Sequence, residues 1–92
     1  MEGFFGTRAL VTGASSGIGA ELARQLAARG ASLVLTARSK DKLDALASEI
    51  SEKSRVGVLV VVADLARPGG AESLAADVDA LGVPIDHLVN NA

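Results

Sequence analysis

Short apolar runs alternate with amphipathic patterns along this chain, and the alternation restricts its fold more than any other feature. Four runs are rich in Val, Leu and Ile without strict alternation, which is typical of strands buried on both faces of a sheet. They cover residues 8–12, 32–37, 56–63 and 86–90. Strands that alternate with helices in this way indicate a parallel sheet with right-handed crossovers.

Three helical patterns separate the four strands, so the predicted order is βαβαβαβ. The first spans 18–29, with apolar residues spaced by four, and stops at Gly30; the second follows Ser39, a candidate N-cap; the third follows 68–70 and ends at 82–84. Their apolar residues are Ile18, Leu22 and Leu26; Leu43, Leu46, Ala47 and Ile50; and Leu74, Val78 and Leu81. These patterns predict three amphipathic helices.

The order of the strands decides where a ligand binds. The first two helices are expected on one face of the sheet. If the fourth strand pairs with the first, the strand order is 3-2-1-4 and the third helix lies on the opposite face. The point where the order reverses is the crevice in which such sheets bind dinucleotides. We therefore expect a Rossmann-like α/β fold that is partial and doubly wound.

A glycine-rich turn, Thr-Gly-Ala-Ser-Ser-Gly-Ile-Gly at 12–19, joins the first strand to the first helix. It directs backbone N–H groups at a helix N-terminus, where the macrodipole favours an anion, and its glycines let a diphosphate approach the backbone. The spacing Gly-x-x-x-Gly-x-Gly differs from the commoner Gly-x-Gly-x-x-Gly, and the P-loop lysine is missing. Ser15 and Ser16 fit both helix capping and hydroxyl donation to a phosphate, and the two roles are compatible.

Arg38 stands at the end of the second strand, where a dinucleotide fold recognises the adenosine ribose. An acid at this point would accept hydrogen bonds from a free 2′-hydroxyl, but the next carboxylate is Asp41. A guanidinium pairs with a 2′-phosphate through charge-assisted hydrogen bonds. The sequence therefore favours NADP(H) over NAD(H), against the alternative of a solvated surface arginine.

Polar residues also follow the third and fourth strands, at the same edge of the sheet. Asp64 fits either a turn cap or a contact with the adenine amino group. The sequence Asn90-Asn91-Ala92 ends the fourth strand; its amides can tie neighbouring strands together, and the small Ala92 leaves room for a ring.

Composition excludes several functional classes. The chain has 92 residues, a net charge of -2, one His and no Cys. This mild acidity argues against a nucleic-acid partner, and the missing Cys residues exclude disulfides and zinc–thiolate sites. No apolar run reaches the roughly 20 residues of a membrane-spanning helix. The first residues do not resemble a signal peptide, so a cytoplasmic location is expected.

Taken together, the four motifs resemble the short-chain dehydrogenase/reductase family across all 92 residues. They are Thr12–Gly19, Ala37-Arg38, Asp64-Leu65 and Leu88–Ala92. The resemblance implies that the diphosphate lies among Gly13, Ser15, Ser16, Gly17, Ile18 and Gly19. It implies that Arg38 selects NADP(H), that Asp64 and Leu65 contact the adenine, that Asn91 and Ala92 lie by the adenosine and its ribose, and that Asn90 braces the central strands.

The chain departs from the family pattern in one respect: it contains no Tyr. The family's catalytic Ser and its Tyr-x-x-x-Lys pair lie beyond the Asn-Asn-Ala motif. The expectation is an N-terminal part, 1–92, of a single cofactor-binding domain without the catalytic half, with no catalytic residue of its own and no metal. The alternative is a stand-alone NADP-binding or structural module that performs no chemistry.

The fourth strand is expected to lie at an open edge of the sheet. An apolar parallel strand with an unpaired edge invites pairing with another chain. We therefore expect the chain to self-associate through this edge, around Leu88 and Val89, and through the uncovered face of the sheet.

Overall fold

The computed structural model describes residue 3 and residues 5–91, and it contains the seven elements in the predicted order. The strands are β1 (Arg8–Thr12), β2 (Ser32–Ala37), β3 (Val58–Val62) and β4 (His87–Val89). The helices are α1 (Gly17–Ala28), α2 (Lys40–Ser54) and α3 (Gly70–Ala80). None of the described helices is both long and apolar enough to cross a membrane.

The four strands form one parallel sheet in the order β3-β2-β1-β4, which confirms the predicted order. β1 lies between β2 and β4, with Leu10 opposite Val34 on one side and Leu88 on the other. Two strands that follow β1 in sequence thus pair with opposite sides of it. The strand order reverses at β1, and the carboxyl end of β1 is where the glycine-rich turn begins.

The helices cover the two faces of the sheet unequally. α1 and α2 pack on one face, around Leu33, Leu35 and Leu43, which are completely buried. α3 packs on the other face, where Leu74 and Val78 meet β2 and β3. This distribution agrees with the expected two helices on one face and one on the other.

The side of α1 that packs against the sheet is not the side that carries its large apolar residues. Its buried residues are Gly19, Ala20, Ala23 and Ala27. Ile18 and Leu22 are 71% and 37% exposed. The small side chains let the helix backbone approach the sheet closely, so the Ile18–Leu22–Leu26 stripe is not the main buried face of this helix.

Four elements differ from their predicted limits. Helix α3 covers Gly70–Ala80, so it begins within the 68–70 segment that it was expected to follow and ends before 82. Helix α1 covers Gly17–Ala28 rather than 18–29, because Ser16 takes the N-cap position. β3 covers Val58–Val62 rather than 56–63; it begins later because Arg55 ends α2 in the left-handed region, at φ 56°, and the next two residues make the connection. β4 covers only His87–Val89 rather than 86–90, and Asp86 instead accepts a hydrogen bond from the Arg8 N–H through its side chain, at 2.9 Å.

Candidate functional site

The turn after β1 is held by the hydroxyl of Ser16. Gly13 adopts φ +64°, a left-handed conformation that favours glycine. The Ser16 hydroxyl donates to the Gly13 carbonyl at 2.9 Å and accepts from the Gly19 N–H at 3.3 Å. It therefore caps α1 and closes the turn at the same time, which shows the capping role that the sequence suggested for it.

The N-terminus of α1 carries backbone donors with no partner. Among the described residues, the N–H groups of Ser15, Gly17 and Ile18 have no acceptor. The first turn of α1 contains no acidic residue, whereas α2 has Asp41 and α3 has Glu72 in the equivalent place. The positive end of this helix dipole is thus not compensated by the chain itself, which makes it suited to an anion.

The end of β4 is tied to the same turn by Asn91. Its side-chain Nδ2 donates to the Ser16 hydroxyl at 3.0 Å and to the Gly13 carbonyl at 3.4 Å. Its backbone N–H donates to the Thr12 hydroxyl at 3.0 Å, and that hydroxyl in turn donates to Asn90 Oδ1 at 3.0 Å. These hydrogen bonds hold the turn in register with the carboxyl end of β4.

The two glycines of α1 have different surroundings. A Cβ on Gly19 would stand 2.2 Å from the Gly13 carbonyl oxygen and 2.8 Å from Asn91 Nδ2, so this position needs the absence of a side chain. A Cβ on Gly17 would meet nothing within 4 Å. Gly19 is therefore required by the turn itself, while Gly17 keeps the space outside the turn open.

A cavity of about 550 Å³ lies beside the turn, along the carboxyl ends of β1, β2 and β3. Its lining comes from the glycine-rich turn, from the segments at the ends of β2 and β3, and from one residue after β4. These residues are Gly13, Ser15, Ser16, Thr36, Ala37, Arg38, Ala63, Asp64, Leu65, Ala66 and Asn91. Small side chains form much of this lining. The cavity extends from Ser15 and Ser16, directly before α1, to Arg38 after β2.

Two charged side chains stand at the rim of this cavity. Arg38 is exposed, and its guanidinium makes no ion pair or hydrogen bond with any residue in the described part of the chain. Asp64 accepts from the Ala66 N–H at 3.0 Å through Oδ1, while Oδ2 has no partner among the described residues. By contrast, the nearby ammonium of Lys40 is paired with Asp44 at 2.6 Å. The cavity thus offers one uncompensated cation and one free carboxylate oxygen.

The comparison with known families decides what kind of protein carries this cavity. The family model described as short chain dehydrogenase matches residues 7–92. The chain belongs to the short-chain dehydrogenase family.

Relatives within the short-chain dehydrogenase family are much longer than this chain. It is 43% identical over 91 residues to 11-beta-hydroxysteroid dehydrogenase 1A of Arabidopsis thaliana, covering 99% of this chain and 26% of the relative. The L-sorbose reductase of Gluconobacter frateurii, solved with NADPH and L-sorbose, superposes with a TM-score of 0.90 at 42% identity, covering 98% of this chain and 34% of that one.

A short-chain dehydrogenase of Sphingobium yanoikuyae, solved with NADPH, superposes with a TM-score of 0.80 at 48% identity, covering 94% of this chain and 33% of that one. The chain thus spans about a quarter to a third of the length of these family members.

The structure brings most of the predicted short-chain dehydrogenase site residues to one cavity. Gly13, Ser15, Ser16, Arg38, Asp64, Leu65 and Asn91 line it. Gly17, Ile18 and Gly19 form the first turn of α1 beside it, without lining the cavity. Ala92 lies outside the described residues, so its predicted contact with the cofactor stays a prediction.

Sequence reasoning missed four residues of the lining: Thr36, Ala37 as a wall residue, Ala63 and Ala66. Their signal is positional, since Thr36 and Ala37 end β2 and pair with the last residues of β3. The Thr36 hydroxyl donates its hydrogen bond to the Val61 carbonyl, so its proton is already engaged within the sheet. No cluster of three or more metal-ligating side chains occurs within the described ranges.

Proposed function

We propose that this chain is the NADP(H)-binding portion of a short-chain dehydrogenase/reductase. The parent reaction would be hydride transfer between NADP(H) and a carbonyl or alcohol substrate. The proposal rests on two groups that lie at the same cavity. One is the Arg38 guanidinium, which has no ion-pair partner among the described residues, and the other is the N-terminus of α1, which has no acidic residue in its first turn. Family members of similar structure, including the L-sorbose reductase, were solved with NADPH.

The hydrogen-bond donors at the cavity fit a dinucleotide that carries a 2′-phosphate in addition to its diphosphate. The free N–H groups of Ser15, Gly17 and Ile18 supply donors for the diphosphate, and the Ser15 hydroxyl adds another. Arg38 supplies a bidentate donor for the 2′-phosphate. The cavity at the carboxyl ends of β2 and β3 has room for a flat base, with Leu65 as an apolar wall and Asp64 Oδ2 as an acceptor for an amino group.

Two site residues, Ser16 and Asn91, support the turn in this proposal. Ser16 has its hydroxyl engaged with Gly13, Gly19 and Asn91, so it holds the turn rather than donating to the phosphate. Asn91 acts on the site through Ser16 and also forms part of the cavity wall.

NADP(H) is proposed over NAD(H) because the rim holds a cation where an NAD-binding site has an acid. We expect the chain to bind NADPH more tightly than NADH and Arg38→Asp to reverse this order. A charged hydrogen bond is worth roughly 1.5–3 kcal/mol, so NADPH affinity should fall at least about tenfold. Titration calorimetry with both cofactors measures the change.

Arg55→Asp provides the matched control for Arg38→Asp. It makes the same change of charge just before the amino end of β3, away from the carboxyl ends where the cavity lies, in a left-handed position that Asp tolerates. The control should keep the preference for NADPH. Equal affinities of the wild-type chain for NADPH and NADH, unchanged in the Arg38 variant, would remove Arg38 from the site.

The chain alone is proposed to be catalytically silent. Reduction of a carbonyl needs an acid that protonates the developing alkoxide, which contributes about 10²–10⁴-fold. The sequence contains no Tyr to take the part of the family's proton donor. We expect no NADPH oxidation above a buffer control with ketone or aldehyde substrates. Turnover that a Gly17→Trp substitution abolishes would contradict this proposal.

We also propose a cytoplasmic location and self-association through β4. In the described part of the chain, the backbone of β4 lies beside that of β1 alone, and no helix runs along it. Leu88 is 66% exposed on the face that α3 leaves open. An exposed apolar edge of this kind is a template for a further strand.

A further inference from the structure

One side of the cavity consists of residues 63–66, the β3 wall, which follows β3 in the chain. A backbone hydrogen bond of 3.0 Å ties the start of this wall to the end of β2. Two consecutive turns come next. The Arg67 N–H donates to the Asp64 carbonyl at 3.2 Å, and the Gly70 N–H donates to the Arg67 carbonyl at 3.0 Å. The second turn brings the first residue of α3 back against the β3 wall.

Gly70 lies against the backbone of the β3 wall. A Cβ on Gly70 would strike the Asp64 carbonyl oxygen and would stand 3.2 Å from the Leu65 Cα. Gly69 adopts φ +77°, in the left-handed region that favours glycine, whereas Gly70 does not have a positive φ. Glycine is therefore required at position 70 by the close approach of the wall and not by the local backbone conformation.

The β3 wall can be displaced more easily than the helix behind it. α3 is held on the sheet by Leu74 and Val78, which are 7% and 8% exposed. Asp64 is half-buried and lines two cavities, the one beside the turn and a second one of about 360 Å³ at the start of α3. A side chain at position 70 would therefore move the wall rather than the helix, because the helix is packed and the wall borders open space.

We propose that Gly70 is a positioning residue for the cofactor, although it does not line the cavity beside the turn. The inference rests on the proposed function, in which Asp64 Oδ2 accepts a hydrogen bond from the amino group of the base. Gly70 keeps Asp64 and Leu65 in place for this contact, and in this way it makes the chain select adenine. Arg38 follows a different strand, so the selection of the 2′-phosphate does not depend on Gly70.

The test compares NADPH with its deamino analogue, in which hypoxanthine replaces adenine and an oxygen replaces the amino group. This oxygen cannot donate to the Asp64 carboxylate, so the wild-type chain should bind NADPH at least about tenfold more tightly than the analogue. In Gly70→Ala this base ratio should fall below about threefold, while the ratio of NADPH to NADH affinity stays within about twofold of its wild-type value. Titration calorimetry with the three ligands measures both ratios.

Gly57→Ala is the matched control. It adds the same methyl group just before the amino end of β3, where a Cβ would meet Ser32 Oγ at 3.7 Å, an ordinary contact. This variant should keep both ratios. Asp64→Ala should lower the base ratio by itself, and Gly70→Ala added to it should lower the ratio no further, because the two residues act through one contact.

The outcomes separate this inference from the proposed function. If the wild-type chain binds NADPH without preferring adenine, or if Gly70→Ala keeps the wild-type base ratio, the inference is wrong and the proposed function stands. If the wild-type chain binds neither NADPH nor NADH, the proposed function fails and the inference fails with it.

Hydrogen exchange on the wild-type chain decides the case in which Gly70→Ala does not unfold cooperatively. A ligand that bonds to Asp64 stabilises the two turns behind it, so NADPH should slow the exchange of the Arg67 and Gly70 N–H groups more than the deamino analogue does. Equal protection by the two ligands would overturn the inference.

Discussion

Single residues of the glycine-rich turn divide between holding the backbone and leaving space for a ligand. Ser16 and Gly19 belong to the first group, because the Ser16 hydroxyl bonds both ends of the turn and a Cβ on Gly19 would strike the Gly13 carbonyl. Gly17 belongs to the second group. Residues that look equivalent in the sequence thus have different surroundings in the turn, and stability measurements can separate them.

We expect Gly19→Ala to lower the free energy of unfolding by about 1–3 kcal/mol, the usual cost of forcing extra atoms into a packed site. Gly17→Ala should leave the stability unchanged or raise it by up to about 1 kcal/mol, because Ala is the better helix former. Gly17→Ala should nevertheless weaken NADPH binding, since the added methyl group occupies the open approach to the turn. Thermal unfolding and calorimetry on both variants measure this; a Gly19 variant as stable as the wild type would contradict it.

At the scale of elements, α1 and α2 are joined across their surfaces by an ion pair. Arg24 Nε donates to Glu49 Oε2 at 2.6 Å, and Arg24 Nη2 donates to Glu49 Oε1 at 3.2 Å. The hydrogen bond from Arg24 holds the pKa of the Glu49 carboxyl below its ordinary value of 4.5 and raises the pKa of Arg24. Both side chains are partly exposed, so salt screens this pair.

Because the pKa of Glu49 is lower in the folded state, its contribution to stability is present above the ordinary carboxyl pKa and is lost as the pH falls through the folded value. We expect Glu49→Gln to destabilise the chain slightly at neutral pH and at low salt. The difference from the wild type should vanish in acid, where Glu49 is protonated in both states. Glu52→Gln, an exposed change on the same helix, is the control. A pH-independent difference would show that the pair contributes nothing through its charge.

At the scale of the whole molecule, the two edges of the sheet are protected differently. β3 is flanked by α2 and α3, whereas β4 has no flanking helix in the described part of the chain. Each edge strand has an exposed apolar residue: Val62 is 45% exposed in β3, and Leu88 is 66% exposed in β4. This difference allows a matched test of the proposed self-association.

We expect the wild-type chain to sediment as larger species when its concentration rises. Leu88→Lys should suppress this association, because a charge on an edge strand opposes pairing with another chain. Val62→Lys should behave like the wild type. Sedimentation velocity over a wide range of concentration measures all three proteins. A compact wild-type monomer throughout the range, or equal effects of the two substitutions, would exclude β4 as the contact.

Much of the fold could be predicted from the sequence because its signals are local. The apolar runs, the Ser39 cap and the glycine-rich turn each predict their own element, and the limits of β1 and β2 are confirmed to the residue. The burial of α2 through Leu43, Leu46 and Ile50 also follows from its spacing. The face of α1 does not, because two stripes compete and only the sheet selects the one made of small residues.

The sequence by itself determined the βαβαβαβ order, which depends on periodicity and turn chemistry, and it predicted the 3-2-1-4 arrangement on the condition that the fourth strand pairs with the first. Only the tertiary structure decided which of the candidate site residues hydrogen-bond to one another. Asn91 is 75 residues away from Ser16 in the chain, and the hydrogen bond between them exists because β4 pairs with β1. Arg38 and the segment before α1 lie at one cavity because β1 and β2 are paired in parallel, which brings their carboxyl ends together. No local pattern in the sequence shows which hydrogen-bond partners each group has there.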